Sequence, residues 1–169
     1  MQILIKKNNI NNNGNIKEFY NITKDLIHNP IVQQMKNYRQ HFNTSCYDHC
    51  YNASYYCFLI AKKLHWDYKS VARAAMLHDL FLYDWRKREN DRKGLHAFTH
   101  GNIACQNACK LFNLTEKEQN IIKRHMFPVT PIPPKYKEGL LLTLIDKYCG
   151  LIEIKSEFKK NKSNFKDKI

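Results

Sequence analysis

The chain has no long apolar run, little glycine or proline, and few acidic side chains, and each shortage narrows what it can be. Its five glycines and five prolines among 169 residues fall mainly at joints between apolar-periodic stretches, which leaves those stretches able to form helices. No segment is long enough to span a bilayer, and residues 1–7 offer only a brief apolar stretch before lysines and asparagines, without the run of a signal peptide. A cytoplasmic protein with no membrane partner is expected. No period-two pattern of useful length argues for strands, and no internal repeat is visible.

The six cysteines include no Cys-x-x-Cys and no zinc-knuckle spacing. Cys46 and Cys50, like Cys105 and Cys109, are one helical turn apart, and without an export signal they read as reduced thiols used as small buried apolar residues. Cys46, one turn before His49, and Cys149, one turn after Asp146, keep a place near a metal open.

Fifteen acidic residues against 28 basic ones leave a formal charge of +13. Nucleic acid is nevertheless not expected as the main partner. The lysines are scattered among asparagines and isoleucines, as in Lys6-Lys7-Asn8-Asn9, and the densest run, 155–168, is terminal. A small anionic, phosphate-containing substrate is the more economical use of such a field. With 43% hydrophobic and 25% charged residues, the composition is that of a globular protein, and the length suits one domain over 1–169, with a polar arm at 1–15 and a basic tail at 159–169. The sequence carries no signal for an oligomeric state.

What is present is helical periodicity almost throughout. Helices are predicted over 16–27, 30–38, 45–64, 69–81, 96–112 and 135–158, with another opened by a capping box of Thr115 and Glu118. The segment 83–95 reads as a loop or short irregular helix. The fold expected is all-α, a compact bundle of about six or seven helices.

Ionisable side chains stand on the apolar faces of these helices: His49, the pair His78-Asp79, His100, His125 and Asp146. An unpaired imidazole or carboxylate facing a core is costly to bury, and a shared metal ion removes that cost. The ordered set His49, His78-Asp79, His100-Gly101, His125 and Asp146-Lys147 resembles the HD-domain superfamily of metal-dependent phosphohydrolases over roughly residues 45–153. The resemblance implies an HD-domain-like bundle in which His49, His78, Asp79 and Asp146 bind one metal. His100 and His125 match positions that hold a second ion in binuclear members, with Asp79 bridging both.

Imidazole ligands suit a divalent transition metal, so two ions of iron or manganese are expected ahead of magnesium, cobalt, nickel or zinc. The activity implied is hydrolysis of a nucleotide or other small phosphate ester by a metal-activated water. Two other classes stay open: a di-iron HD-type oxygenase, which the same histidines fit, and a non-catalytic metal- or nucleotide-binding regulatory module, against which the intact ligand set argues.

One departure matters. Many phosphohydrolases of this superfamily carry a Gly-Lys soon after the His-Asp pair, whereas this chain reads His78-Asp79-Leu80-Phe81-Leu82. The candidates to replace that lysine are Lys147 beside Asp146, Arg124 beside His125, Arg73 ahead of His78, and Arg86 or Lys87 in the stretch Tyr83-Asp84-Trp85-Arg86-Lys87, of which Asp84, Trp85 and Arg86 are expected to border the pocket. Adjacent helical residues point about 100° apart, so a solvent-facing reading stands beside each. His96, one turn before His100, is assigned to the substrate side or to support of a ligand, and His100, next to Gly101, to the metal.

Overall fold

Seven α-helices dominate the computed structural model, which describes residues 12–41, 43–87 and 94–166. They are α1 (Asn12–Ile27), α2 (Pro30–Gln33), α3 (Cys46–Lys63), α4 (Tyr68–Leu77), α5 (His96–Leu111), α6 (Glu116–Arg124) and α7 (Lys137–Lys166). The expected all-α bundle is what these residues form.

Four boundaries differ from expectation. Helix α1 begins at Asn12, inside the stretch read as a polar arm, of which residues 1–11 lie outside the described part. The second helix tightens after one turn into a 3-10 turn, Gln34–Asn37, and the chain then forms a two-stranded antiparallel ribbon of β1 (Arg39–His41) and β2 (Thr44–Ser45). Helix α4 stops at Leu77, so His78 caps it and Asp79 lies beyond its end. Helix α7 continues to Lys166, through most of the residues read as a basic tail, because no glycine or proline follows Gly150 to stop it.

Small side chains set the centre of the bundle. Helix α3 buries Cys46, Cys50, Ala53, Cys57 and Ala61 along one side, and α4 answers with Val71, Ala74 and Ala75. With small residues along these lines, the two helices pack more extensively than any other described pair. Ser54 of α3 donates to the carbonyl of Ala72 at 2.6 Å, satisfying a hydroxyl within that interface. A second apolar cluster of Phe19, Tyr55, Phe58 and Ala72 fastens α1 to the outer side of the pair. Burying a side chain the size of Phe58 contributes about 1.5–3 kcal/mol.

Three of the helices that bring candidate ligands inward, α3, α4 and α6, have their starts fixed by a side-chain cap. The Ser45 hydroxyl accepts from the backbone N–H of Asp48 and starts α3 just before His49. Asp67 does the same for α4 through Ser70. Thr115 and Glu118 form the expected capping box of α6, whose C-cap is His125.

Candidate metal centre

Six side chains from five places converge: His49 of α3, His78 and Asp79 after α4, His100 of α5, His125 at the end of α6 and Asp146 of α7. Five of them are buried and only the Asp146 side chain keeps partial contact with water. His49 Nε2 is 2.9 Å from Asp146 Oδ1, and His78 Nε2 is 3.5 Å from Asp79 Oδ2 and 3.6 Å from Asp146 Oδ1. On the other side of Asp79, Oδ1 is 3.3 Å from His100 Nε2 and 3.7 Å from His125 Nε2. Potential ligand atoms of His49, His78 and Asp79, of His78, His125 and Asp146, and of Asp79, His100 and His125 lie within 4.8 Å of one another in each group.

The far ring nitrogens explain why the near ones converge. Nδ1 donates to a backbone carbonyl in three cases: His78 to Ala75 at 2.7 Å, His100 to His96 at 2.7 Å and His125 to Ile122 at 2.8 Å. The fourth, His49 Nδ1, donates to Glu153 Oε2 at 3.0 Å. A neutral imidazole whose proton sits on Nδ1 presents a lone pair at Nε2, and carbonyl or carboxylate support of this kind orients metal-ligating histidines.

Two buried atoms of the cluster, His78 Nε2 and Asp79 Oδ1, have no hydrogen-bond partner. An orphaned polar atom in a core is expensive, and a bound metal ion would satisfy such atoms. The donor set of imidazole nitrogens and carboxylate oxygens is compatible with a metal site.

The charges agree. Burial disfavours ionisation of His49, but hydrogen bonds to Asp146 and Glu153 outweigh it and hold its pKa well above the usual imidazole value. Burial likewise works against the Asp146 carboxylate, but the hydrogen bond from His49 and the nearby His78 pull its pKa well below normal. Burial works against the Asp79 carboxylate as well, but the charge of His78 beside it prevails and its pKa is lowered. His125 is pushed down to about 3, first by burial and then by His78 and His100, so it is neutral at physiological pH. The buried carboxylates thus collect protons onto imidazoles, a job that bound cations would take over.

The cysteines frame the cluster as thiols. All six are unpaired by disulfides and five are buried; Cys109 is exposed, against the reading of every cysteine as a core residue, because it faces outward from α5. Burial raises Cys46 and Cys50, and Cys149 is pushed up to about 12, so these thiols are protonated at neutral pH; the Sγ atoms of Cys46 and Cys50 also lie within 4.8 Å of each other and of an Asp79 carboxylate oxygen. Cys46 Sγ instead donates to the backbone carbonyl of Asp79 at 3.2 Å.

Above the cluster opens a cleft of about 500 Å³, with Asp79, His100, His125 and Asp146 at its floor. His96 and Trp85 form part of the wall as a stack: His96 lies on His100 with ring centroids 4.4 Å apart, and Trp85 on His96 at 5.5 Å. Tyr83 meets His96 Nδ1 through its hydroxyl at 3.0 Å. Lys147 lines the cleft, with Nζ donating to the carbonyls of Phe127 and Thr143.

Four other residues expected near substrate are placed elsewhere. Arg73 pairs with Asp25 of α1 and Glu118 of α6, two acids that the i, i+5 distance to His78 could not reveal. Arg124 lines a separate cleft beside α5 and α6, since one step along a helix turns it away from His125. Asp84 and Arg86 clasp each other through two charge-assisted bonds of 2.8 and 2.9 Å, and that pairing pulls Asp84 down to about 2. Of their stretch, Trp85 alone lines the main cleft.

Two residues of the centre were not singled out from sequence. Glu153 shares the ligand side of α7, two turns past Asp146, where a buried acid is itself a signal. Gln40 of β1 donates from Nε2 to Asp79 Oδ2 at 2.6 Å; a lone polar residue within so short a strand carries no periodicity that would have marked it.

No protein-family model, curated protein or solved structure matches this chain. Fold and site together define a helical bundle with a buried His/Asp cluster compatible with metal.

Proposed function

We propose that this protein is a metal-dependent phosphohydrolase of the HD-domain type, acting on a small phosphate ester with two divalent ions, iron or manganese. The observation that carries the reading is the division of Asp79: Oδ2 faces His78 while Oδ1 faces His100 and His125. On this reading His49, His78, Asp79 and Asp146 would hold one ion, and Asp79, His100 and His125 a second. Two such ions would supply a water of lowered pKa and neutralise charge on the phosphoryl group.

The chain's own groups do the rest. Lys147, on the cleft wall beside Asp146, offers positive charge to a non-bridging phosphoryl oxygen. Water oxygen bonds to phosphorus as the bond from phosphorus to the alcohol oxygen breaks, and the departing oxygen takes a proton. His96, half-buried on the wall and held by Tyr83, is the group positioned to hand over that proton. The products are inorganic phosphate and the alcohol.

Phosphate release from a panel of small esters, after loading with Mn(II), Fe(II), Co(II) or Mg(II), tests this. Release by the Mn(II) or Fe(II) protein that disappears in Asp79→Ala is expected. A fully loaded protein that turns over no ester, and consumes oxygen in its di-iron form, would point to the oxygenase class.

A further inference from the structure

The cleft has two unlike halves. Its floor is the cluster of imidazoles and carboxylates, whereas its walls are largely carbon, supplied by Trp85, Ala97, Met126, Leu151 and Ile154. Leu151 is 67% exposed where α7 lines the cleft, an arrangement that leaves apolar surface in water until something covers it. Lys147, Leu151 and Ile154 follow one another at i, i+4 and i+7 on α7, and Gly150 beside them adds no side chain to fill the space.

Charge is as informative as shape. Of 28 lysines and arginines in the chain, Lys147 is the one that lines this cleft among the described residues, and its ammonium is already held by two carbonyls. A site for a polyphosphate gathers several cations along the phosphate chain. A volume of about 500 Å³ is that of a small-molecule site with a few polar groups and an apolar lining.

We propose that the substrate is a phosphate monoester of an apolar alcohol, its single anionic head at the His/Asp floor and its hydrocarbon body along Trp85, Met126, Leu151 and Ile154. The identity of the head rests on the phosphohydrolase reading; the apolar subsite rests on the cleft wall alone. Trp85, seated on His96 and donating from Nε1 to the carbonyl of Arg39, gives that body a rigid aromatic surface.

Calorimetric binding of ethyl-, butyl- and hexylphosphonate to the Mn(II)-loaded protein tests the proposal, since these present the same head and cannot be hydrolysed as esters. Affinity is expected to rise about two- to fourfold per added methylene, and Ile154→Asp or Leu151→Asp to flatten that rise with manganese content unchanged. Affinity independent of chain length, or a rise that both substitutions leave intact, overturns it. Turnover of ethyl, butyl and hexyl phosphate, with glycerol phosphate as the polar control, separates the two readings. Chain-length-dependent phosphonate binding without hydrolysis of any ester leaves the apolar subsite standing and removes the phosphohydrolase; ester hydrolysis indifferent to chain length does the reverse.

Discussion

The Nε2 atoms of His100 and His125 stand 2.9 Å apart, and each ring already donates its Nδ1 proton to a backbone carbonyl. With His125 held neutral and its Nδ1 proton on the Ile122 carbonyl, its Nε2 offers a lone pair on the side that faces His100. In the proposed centre His100, His125 and Asp79 would hold a metal ion together. Metal that binds the folded chain and not the unfolded one stabilises by RT ln(1 + [L]/Kd), about 2.7 kcal/mol at a hundredfold excess over Kd. Thermal unfolding in Mn(II) and then in chelator is therefore expected to show a higher midpoint with metal. In His125→Ala the metal-induced rise should shrink; an undiminished rise places the ion elsewhere.

The approach of α5 to α6 that creates this pair depends on Gly101. A Cβ there would lie 3.1 Å from the carbonyl oxygen of Lys123 and 3.3 Å from that of Ile122, the latter being the acceptor that orients His125. Backbone does not yield as a flexible side chain does, so Gly101→Ala is expected to cost about 1–3 kcal/mol in denaturant unfolding. It should also lower metal content by about one ion per chain. Wild-type stability together with full loading would show that the two helices have room to spare.

Gln40 and Glu153 touch proposed ligands, Asp79 and His49, and are not themselves assigned as ligands. Gln40→Leu removes the donor that holds Asp79 Oδ2, and Glu153→Gln weakens the support of His49 Nδ1. Losses of about 10–100-fold in metal affinity or turnover are expected for each, the usual effect of removing such a partner. Metal titration with a competing chelator reads the first quantity and phosphate release the second. If neither quantity moves in either variant, these contacts only fill space.

Much of the centre was legible because helical spacing ties sequence to direction. His49 lies beside the small-residue side of α3 and Asp146 on the inward side of α7, and their positions along apolar stripes were visible before any contact was known. The capping box at Thr115 was equally plain, as it is a local pattern with a local cause. The end of α4 was not, because neither glycine nor proline marks it; the chain leaves the helix at His78, and Leu82 reaches a positive φ of 49° soon after. The cations were the least legible part. Arg73, Arg124 and Arg86 were placed by their distance from ligands along the chain, but their directions are set by acids and helix faces that are distant in sequence or by a neighbour two residues away.

Arg73 has a structural role with a pH signature. Burial raises the Asp25 carboxyl, but the hydrogen bond and charge of Arg73 prevail and hold its pKa below the usual value. A depressed carboxylate contributes stability that is present above its ordinary pKa and lost as pH falls through the depressed one. Arg73→Met is expected to cost about 1–3 kcal/mol at pH 7, mostly by leaving the buried Glu118 without its cation. The Asp25 share stays below about 1 kcal/mol because half of that side chain is in water. The gap between wild type and variant should narrow as pH drops below about 4, with metal content unchanged at pH 7. Urea unfolding between pH 2 and 7 reads this, and a gap that widens in acid would contradict the assignment.

Elemental analysis of the purified protein beside Asp79→Ala and His125→Ala addresses the shared centre itself. The expected result is close to two divalent transition-metal ions per wild-type chain, about one in His125→Ala and almost none in Asp79→Ala, with all three proteins folded by circular dichroism. A normal metal content in Asp79→Ala, or a fully loaded wild type with a single ion that His125→Ala leaves in place, would contradict the bridged two-metal centre.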